Sequence, residues 1–328
     1  MGFAETVRVL PSRTMRSILI SLSHRRSLAR LAVRSPLTRP MVARFVAGET
    51  LEAALSGLET LRGEGFLTTV DVLGESVTNE DGASAGVERY LATVAALAKR
   101  GLDVNVSLKL TQMGLEIGRD LCRENVLRIV DAAAAHDGFV RFDMEDHTMT
   151  DATLEIWRAA HERYARVGVV IQTALRRSAA DVDAITAVGG RIRLCKGAYD
   201  EPASVAYRDR RAVDANYARL MERLLLADAH PALATHDPRL IARAISIAER
   251  EGIGPDRYEF QMLYGVRRDL QRRLVARGFA VRIYVPYGTE WYPYYMRRLA
   301  ERPANVAFML RAVLGEEMRR LRNSHGAQ

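Results

Sequence analysis

The chain has 328 residues, of which 48% are hydrophobic and 27% charged, and this composition is typical of a globular protein with a sizeable core. No run of about 18 apolar residues occurs, which excludes a transmembrane helix. The two cysteines, Cys122 and Cys195, are too few for a disulfide framework and indicate a reducing compartment. The net charge of +8 is concentrated in residues 1–50, which hold nine arginines and two glutamates.

Residues 1–64 are predicted to form a basic N-terminal helical arm. We expect its basic face to lie on the rest of the protein or to contact an anionic membrane surface. A leader rich in arginine and serine and poor in acids also fits a mitochondrial transit peptide. Phe3 and Phe45 are the only aromatic residues among the first 50, so no base-stacking platform is present and nucleic-acid binding is not favoured. The expected location is the cytoplasm, with a peripheral contact at the inner membrane.

After the arm, short runs rich in β-branched and aromatic residues alternate with longer amphipathic segments. The runs are 66–73, 104–110, 139–144, 167–174, 191–197, 232–236, 258–263 and 280–287. Segments such as 114–136, 203–229 and 237–251 have helical spacing. The series predicts an α/β fold, a (βα)8 TIM-like barrel over residues 65–302, followed by a C-terminal helix and tail over 303–328. A doubly wound sheet is the alternative, but no complete G-x-G-x-x-G follows a run.

Each of the eight runs carries a polar residue late in the run or just past it. These residues are Asp71, Lys109, Asp143, Gln172, Lys196, His236, Gln261 and Tyr284. A single late polar residue usually caps a strand, but eight in eight runs are hard to explain as caps. Because the carboxyl ends of barrel strands converge on the face where active sites form, the pattern indicates an enzyme.

Lysine is rare in this chain, and two of its positions coincide with strand ends. Of the 48 basic residues, only Lys99, Lys109 and Lys196 are lysines. A compact ammonium with three rotatable donors serves sites that a planar guanidinium does not fit. Lys99 falls late in a helix, whereas Lys109 and Lys196 follow strands. We therefore expect functional roles for the last two.

The stretch YVPYGTEWYPYYMRRL, residues 284–299, holds five of the twelve tyrosines and an arginine pair. On a helix starting near Glu290, Trp291 and Tyr294 share one broad face with Arg297 and Arg298. Two guanidinium groups about 100° apart can bind a carboxylate from two directions. The stretch therefore predicts a pocket for a small anionic molecule with an apolar body.

Six blocks of this chain, in order and in the spacing of a barrel, resemble the proline dehydrogenases, most closely the short single-function bacterial enzymes. The blocks are SLKLTQMG (107–114), RFDMED (141–146), IRLCKGAYDEP (192–202), ATHD (234–237), YEFQMLYGVR (258–267) and YVPYGTEWYPYYMRRLAERPAN (284–305). The resemblance implies a barrel that holds FAD and oxidises L-proline to Δ1-pyrroline-5-carboxylate, the first step of proline degradation. The family's usual electron acceptor, a membrane quinone, is the expected partner.

The resemblance also implies roles for individual residues. Arg297 and Arg298 match the residues that bind the proline carboxylate, and Lys109 matches the ammonium that faces it. Asp143 matches an acid that supports the site electrostatically, and Arg193 matches the arginine near flavin N5. Three further residues resemble the walls around the pyrroline ring: Leu263, Tyr199 and Tyr284. The implied FAD contacts are Met144, Gln172, Arg193, Lys196, Gly197, Ala198, Thr235, His236 and Gln261.

Other functions on the same scaffold stay open at this stage. One is oxidation of hydroxyproline or another cyclic secondary amino acid, although a tyrosine at position 284 favours plain proline. Another is a Schiff-base aldolase that uses Lys109 or Lys196 at a strand end. A third is a non-enzymatic anion-binding module, against which the strand-end polar residues argue. No metal site is expected, because the seven histidines form no H-x-H or H-E-x-x-H pattern.

Overall fold

The computed structural model describes residues 42–227 and 229–300. These residues fall into two compact units. One unit comprises residues 47–288, and the other includes residues 42–46 and 289–300. Most of the predicted basic arm and the predicted C-terminal helix and tail lie outside the described residues. The predicted segment boundaries at residues 64 and 302 therefore stay predictions.

Eight parallel strands close into a barrel in chain order, each paired with its two neighbours. The strands are β1 (Leu67–Val72), β2 (Asn105–Leu108), β3 (Phe139–Phe142), β4 (Val167–Gln172), β5 (Arg191–Cys195), β6 (Ala232–Ala234), β7 (Glu259–Leu263) and β8 (Val281–Tyr287). Every run that the sequence predicted as a strand contains one of them. The predicted barrel is thus confirmed, and the doubly wound sheet is excluded because an open sheet has no β1–β8 pairing.

A helix follows each strand, and a first helix precedes the barrel. The helices are α1 (Leu51–Gly63), α2 (Glu80–Lys99), α3 (Arg119–Ala134), α4 (Thr150–Arg163), α5 (Ser178–Thr186), α6 (Arg210–Leu226), α7 (Pro238–Arg250), α8 (Arg268–Ala276) and α9 (Trp291–Ala300). Local chemistry determines where several of them begin. Asn79 caps α2 by accepting a hydrogen bond from the Gly82 amide, and Asp237 caps α7 just before Pro238.

The two faces of each strand have different partners. Ile192 and Leu194 of β5, like Ile283 and Val285 of β8, are apolar and fully buried. Alternate residues of the same strands reach strands that are not their neighbours, so their side chains point into the barrel interior. Arg193 of β5, for example, contacts residues of β2 and β7 and also Asp143, which directly follows β3. The apolar core therefore lies between strands and helices, and the interior is unusually polar for a barrel.

Among residues 42–227 and 229–300, the structure contains no helix with the length and apolar character needed to cross a membrane.

Candidate active site

Arg193 is the centre of a hydrogen-bonded network inside the barrel. Its Nη1 donates to Asp143 Oδ1 at 2.7 Å, and its Nη2 donates to Ser107 Oγ at 2.9 Å. Its Nε donates to Gln261 Oε1, so each of the three guanidinium nitrogens has an acceptor on a different strand or strand end. The guanidinium also lies 5.3 Å from the ring centre of Tyr284. These contacts leave the side chain of Arg193 little freedom to change its orientation.

Lys109 lies between two carboxylates at the ends of three neighbouring strands. Its Nζ is 2.9 and 3.1 Å from the two oxygens of Asp71 and 4.0 Å from Asp143 Oδ2. Asp71 is fully buried, and the side chain of Lys109 is only 8% exposed. Burial raises the pKa of Asp71, while the ammonium of Lys109 opposes that rise. The pair is a buried salt bridge in which each charge depends on the other.

Tyr284 contacts the charged residues through both its hydroxyl and its ring. Its hydroxyl donates to Asp143 Oδ2 at 2.7 Å. Burial and the adjacent Asp143 carboxylate raise the pKa of Tyr284 well above its usual value, so the phenol keeps its proton. Asp143 therefore receives hydrogen bonds from both Arg193 and Tyr284 and lies near Lys109. Four residues that the sequence singled out thus meet at one point of the carboxyl face.

Gln172 and Gly197 form a second polar region where β4 and β5 end. Gln172 Nε2 donates to the carbonyls of Met144 and Glu145 at 3.1 and 2.7 Å. Its Oε1 is buried and has no hydrogen-bond partner within the described part of the chain. Gly197 has φ +104°, and a Cβ there would lie 2.8 Å from that oxygen. An unmatched acceptor beside a position that needs glycine is the arrangement expected where a ligand approaches the backbone closely.

The ends of β6 and β7 are joined by hydrogen bonds. The Leu263 amide donates to His236 Nε2 at 3.0 Å, so this nitrogen is the acceptor and the proton of a neutral ring is on Nδ1. The Thr235 amide donates to the Gln261 carbonyl at 3.2 Å. The structure therefore places these three predicted residues, Thr235, His236 and Leu263, next to Gln261 and the Arg193 network.

Lys196 follows β5 and bridges two helices. Its Nζ is 2.6 Å from Asp214 of α6 and 3.6 Å from Asp237, the cap of α7. Its side chain is 28% exposed, so solvent reaches this group, unlike Lys109. Ala198 and Tyr199 are half-buried in the loop that leads from β5 to α6. The start of this loop is bonded to the preceding one, since the Ala174 amide donates to the Lys196 carbonyl at 2.9 Å.

The arginine pair lies on the helix that the sequence predicted. Helix α9 begins at Trp291, one residue after the predicted start, and Arg297 and Arg298 occupy its last turn. Trp291 and Tyr294 are buried, whereas both arginines are partly exposed. The guanidinium of Arg298 lies 5.3 Å from the ring centre of Tyr294. This helix belongs to the second compact unit, so the carboxylate-binding role of the pair stays a prediction.

A second layer of charged residues, nearer the amino-terminal ends of the strands, lies in the barrel interior and was not predicted from the sequence. Gln261 Nε2 donates to Glu259, and Glu259 in turn accepts from Arg282 Nε at 3.0 and 3.1 Å. Arg141 lies in the same interior, where burial and the nearby Arg193 lower its pKa. The signal was the alternation within strands, because Glu259 and Gln261, like Arg141 and Asp143, are two residues apart and share a face.

Comparison with known proteins agrees with this geometry. The model of the proline dehydrogenase family matches residues 54–311. The chain is 38% identical over 300 residues to proline dehydrogenase 1 of Bacillus subtilis, over 92% of this chain and 99% of that one. It is 41% identical over 276 residues to the proline dehydrogenase of Deinococcus radiodurans, over 83% of this chain and 89% of the other.

A solved structure shares both the fold and part of the sequence. Proline utilization A from Bdellovibrio bacteriovorus, inactivated by N-propargylglycine, superposes with a TM-score of 0.76 at 27% identity. The match covers 85% of this chain and 34% of the larger protein, so the chain spans about a third of that structure's length. With a closed barrel, a charged site at its carboxyl face and these relatives, the chain belongs to the proline dehydrogenase family and is an oxidoreductase.

Proposed function

We propose that the chain oxidises L-proline to Δ1-pyrroline-5-carboxylate, with FAD as the group that accepts the hydride. The observation that carries the proposal is the compensated charge cluster of Lys109, Asp143 and Arg193 with Tyr284 at the carboxyl face of the barrel. Such a cluster suits an amino acid substrate, which brings a carboxylate and an amine into the same small site. Its residues are held by contacts on several strands, as a preorganised site requires.

The residues present fit a flavin. The unmatched Gln172 Oε1 and the glycine-only backbone of Gly197 provide an acceptor and room for close approach. Arg193 offers a fixed cation, and Lys196 a second one beside Asp214. We propose that these groups hold FAD together with Met144, Ala198, Thr235, His236 and Gln261. When bound, FAD supplies a two-electron acceptor.

The protein's own contribution is orientation and charge. Lys109 is held by Asp71 and lies close to Asp143, so an ammonium is ready for an anionic substrate group without exposing a free charge. Asp143 is held by Arg193 and Tyr284, and we propose that its carboxylate faces the substrate nitrogen, on which positive charge develops. Leu263, Tyr199 and Tyr284 are proposed to enclose the ring and exclude water. The buried state of this cluster strengthens each of these interactions.

We propose that Arg297 and Arg298 bind the carboxylate of proline, because they belong to the motif YYMRRL. Two guanidinium groups can each form charge-assisted hydrogen bonds to a carboxylate, and each such bond contributes roughly 1.5–3 kcal/mol. Replacing Arg297 or Arg298 with Met should therefore raise the KM for proline by at least about tenfold. A KM within about twofold of the parent value for both variants would remove this assignment.

Electrons are proposed to pass from the flavin to a membrane quinone, with the basic segment of residues 1–45 contacting an anionic bilayer. That segment holds nine arginines and one glutamate, and this positive charge supports the contact. Flotation with anionic and with neutral liposomes tests it. Unchanged liposome binding after deletion of residues 1–45 would contradict the role of the segment.

An absorbance spectrum of the purified protein, recorded before and after anaerobic addition of L-proline, tests the function. We expect a visible flavin band that bleaches with proline. A flavin band that bleaches only with hydroxyproline or another cyclic amine would change the substrate and keep the chemistry. A colourless protein that FAD cannot reconstitute would contradict the proposal; trapping by borohydride with substrate would then identify a lysine Schiff base.

A further inference from the structure

A series of hydrogen bonds in the barrel interior connects Arg193 with residues near the amino-terminal ends of the strands. Arg193 Nε donates to Gln261 Oε1, and Gln261 Nε2 donates to Glu259 Oε1. Glu259 also accepts from Arg282 Nε, and Arg282 Nη1 donates to the Thr68 carbonyl at 2.7 Å. The result is a chain of contacts that ends on β1 and β8, away from the carboxyl face.

We infer that Glu259 is a positioning residue, which fixes the orientation of Arg193 through the amide of Gln261. The inference rests on the proposed function, in which Arg193 is the cation beside the acceptor. An amide held between a cation and an anion has its carbonyl on the cation and its amino group on the anion. Arg193 can only donate and an ionised Glu259 can only accept, so both ends dictate the same orientation of Gln261.

The charge of Glu259 is well supported where it lies. Burial alone would raise the pKa of Glu259, but Arg282, Gln261 and Arg141 together lower it below its usual value. The glutamate is therefore ionised at neutral pH. Hydrogen bonds with an ionised partner are roughly twice as strong as neutral ones, and bonds in series polarise one another. The anion thus strengthens the bond that Gln261 accepts from Arg193.

The chain of contacts is suited to holding a group and not to moving protons. A guanidinium does not release its proton at neutral pH, and an amide has no proton that it can readily exchange for another. Arg193 therefore cannot receive a proton from Glu259 through Gln261. Glu259 can change the orientation of the Arg193 guanidinium. It thereby changes the fraction of protein molecules in which Arg193 has the orientation that catalysis requires.

Two substitutions test the contact from opposite sides. Glu259→Gln keeps the shape and removes the charge, and Gln261→Met keeps the length and removes the amide. In Gln261→Met the pair of Glu259 and Arg282 is intact, so this variant tests the inference even where Glu259→Gln unfolds. Asp103→Asn is the matched control, because Asp103 binds the same Arg282 at 2.7 Å but has no contact with Gln261 among the described residues.

The first readout needs neither cofactor nor substrate. In a ¹H–¹⁵N spectrum of arginine Nε–Hε groups, the Arg193 signal is the one that disappears in Arg193→Lys. We expect that signal to shift toward the position of solvent-exposed arginines in Glu259→Gln and in Gln261→Met, and to stay in place in Asp103→Asn. An Arg193 signal that is unchanged in both variants would overturn the inference, whatever the protein's substrate proves to be.

The second readout is steady-state kinetics of the holoenzyme with L-proline. We expect kcat to fall about tenfold in each variant, as for the loss of one charge-assisted hydrogen bond, with KM changed less than about twofold. The double variant should have the kcat of Gln261→Met, because Glu259 acts only through that amide. A further loss in the double variant, or an equal loss in Asp103→Asn, would contradict positioning through Gln261.

Discussion

Replacing Lys109 with Met should destabilise the fold strongly at neutral and alkaline pH. The substitution keeps the length of the side chain but leaves Asp71, which is fully buried, without the ammonium that lies 2.9 Å from its carboxylate. Removing one partner of a buried ion pair costs about 3–5 kcal/mol, out of a total stability of about 5–15 kcal/mol. Because the Asp71 carboxylate cannot reach solvent, we expect the stability lost in Lys109→Met to fall in this range of about 3–5 kcal/mol.

The penalty should also depend on pH, with a sign that follows from Asp71. The folded-state pKa of Asp71 is already raised above its usual value of 3.8 by burial, and Lys109 holds that rise back. Without Lys109 the pKa rises further, so folding with an ionised Asp71 becomes harder. The difference in free energy of unfolding between the parent and Lys109→Met is therefore small below pH 3.8. It grows as pH rises through the folded-state pKa of Asp71 in the parent and then in the variant, and it is constant above both.

Urea unfolding followed by circular dichroism at several pH values measures both effects. Lys196→Met is the matched control, because Lys196 is also a strand-end lysine between two carboxylates but is 28% exposed. Water can replace its contacts, and we expect a cost of at most about 1 kcal/mol. Adding Asp71→Asn to Lys109→Met should restore most of the lost stability. The reasoning would be refuted if Lys109→Met and Lys196→Met lost the same free energy of unfolding. It would also be refuted if the losses of Asp71→Asn and Lys109→Met simply added in the double variant.

Three further predictions concern the cofactor, the site and a surface helix. Gly197→Ala should lower FAD content, because its Cβ would lie 2.8 Å from Gln172 Oε1. Gly189→Ala, at a φ of +73° with open space around it, should only lose about 1–2 kcal/mol of stability; an FAD content of Gly197→Ala equal to that of the parent would contradict this. Tyr284→Phe removes the 2.7 Å bond to Asp143 and should lower kcat/KM for proline about tenfold, with FAD content unchanged; unaltered kcat/KM would contradict it. Asp269, whose hydrogen bond from Arg267 lowers its pKa to about 2, stabilises the fold above its usual pKa of 3.8 and loses that contribution as pH falls through about 2. The difference in melting temperature between the parent and Asp269→Asn should therefore shrink over that interval, and a constant difference would argue against the assignment.

The barrel, and the location of its site at the carboxyl ends of the strands, could be predicted because both depend on local sequence pattern. The strand runs carry β-branched residues between helical segments, and their late polar residues must converge once the strands are parallel. The structure confirms all eight strands and brings Lys109, Asp143 and Arg193 together. A helix near Glu290 could be predicted from the spacing of its aromatic residues, and α9 begins at Trp291.

The pairing of individual side chains could not be predicted in the same way. Which residue faces which across a barrel depends on strand register and on the distance between strands that are not neighbours, neither of which is local. Asp71 was identified only as a late polar residue, and its bond to Lys109 follows from the register that sets Asp71 beside Ser107. Glu259 shares a strand face with Gln261 by alternation, but the alternation does not show which residues it contacts across the barrel.

The two faces of each strand carry different kinds of residue, and this difference determines which substitutions affect the site. In most such barrels, branched apolar residues fill the interior, but here alternate positions such as Arg193 and Gln261 carry charges and amides. The opposite face of the same strands compensates, because residues such as Ile192 and Leu194 are fully buried under helices, and each buries apolar surface worth about 1.5–3 kcal/mol. Successive residues of one strand therefore serve different purposes. Changes at outward positions should act mainly on stability, whereas changes at inward positions alter a connected network and so reach Arg193 even from the far end of the barrel.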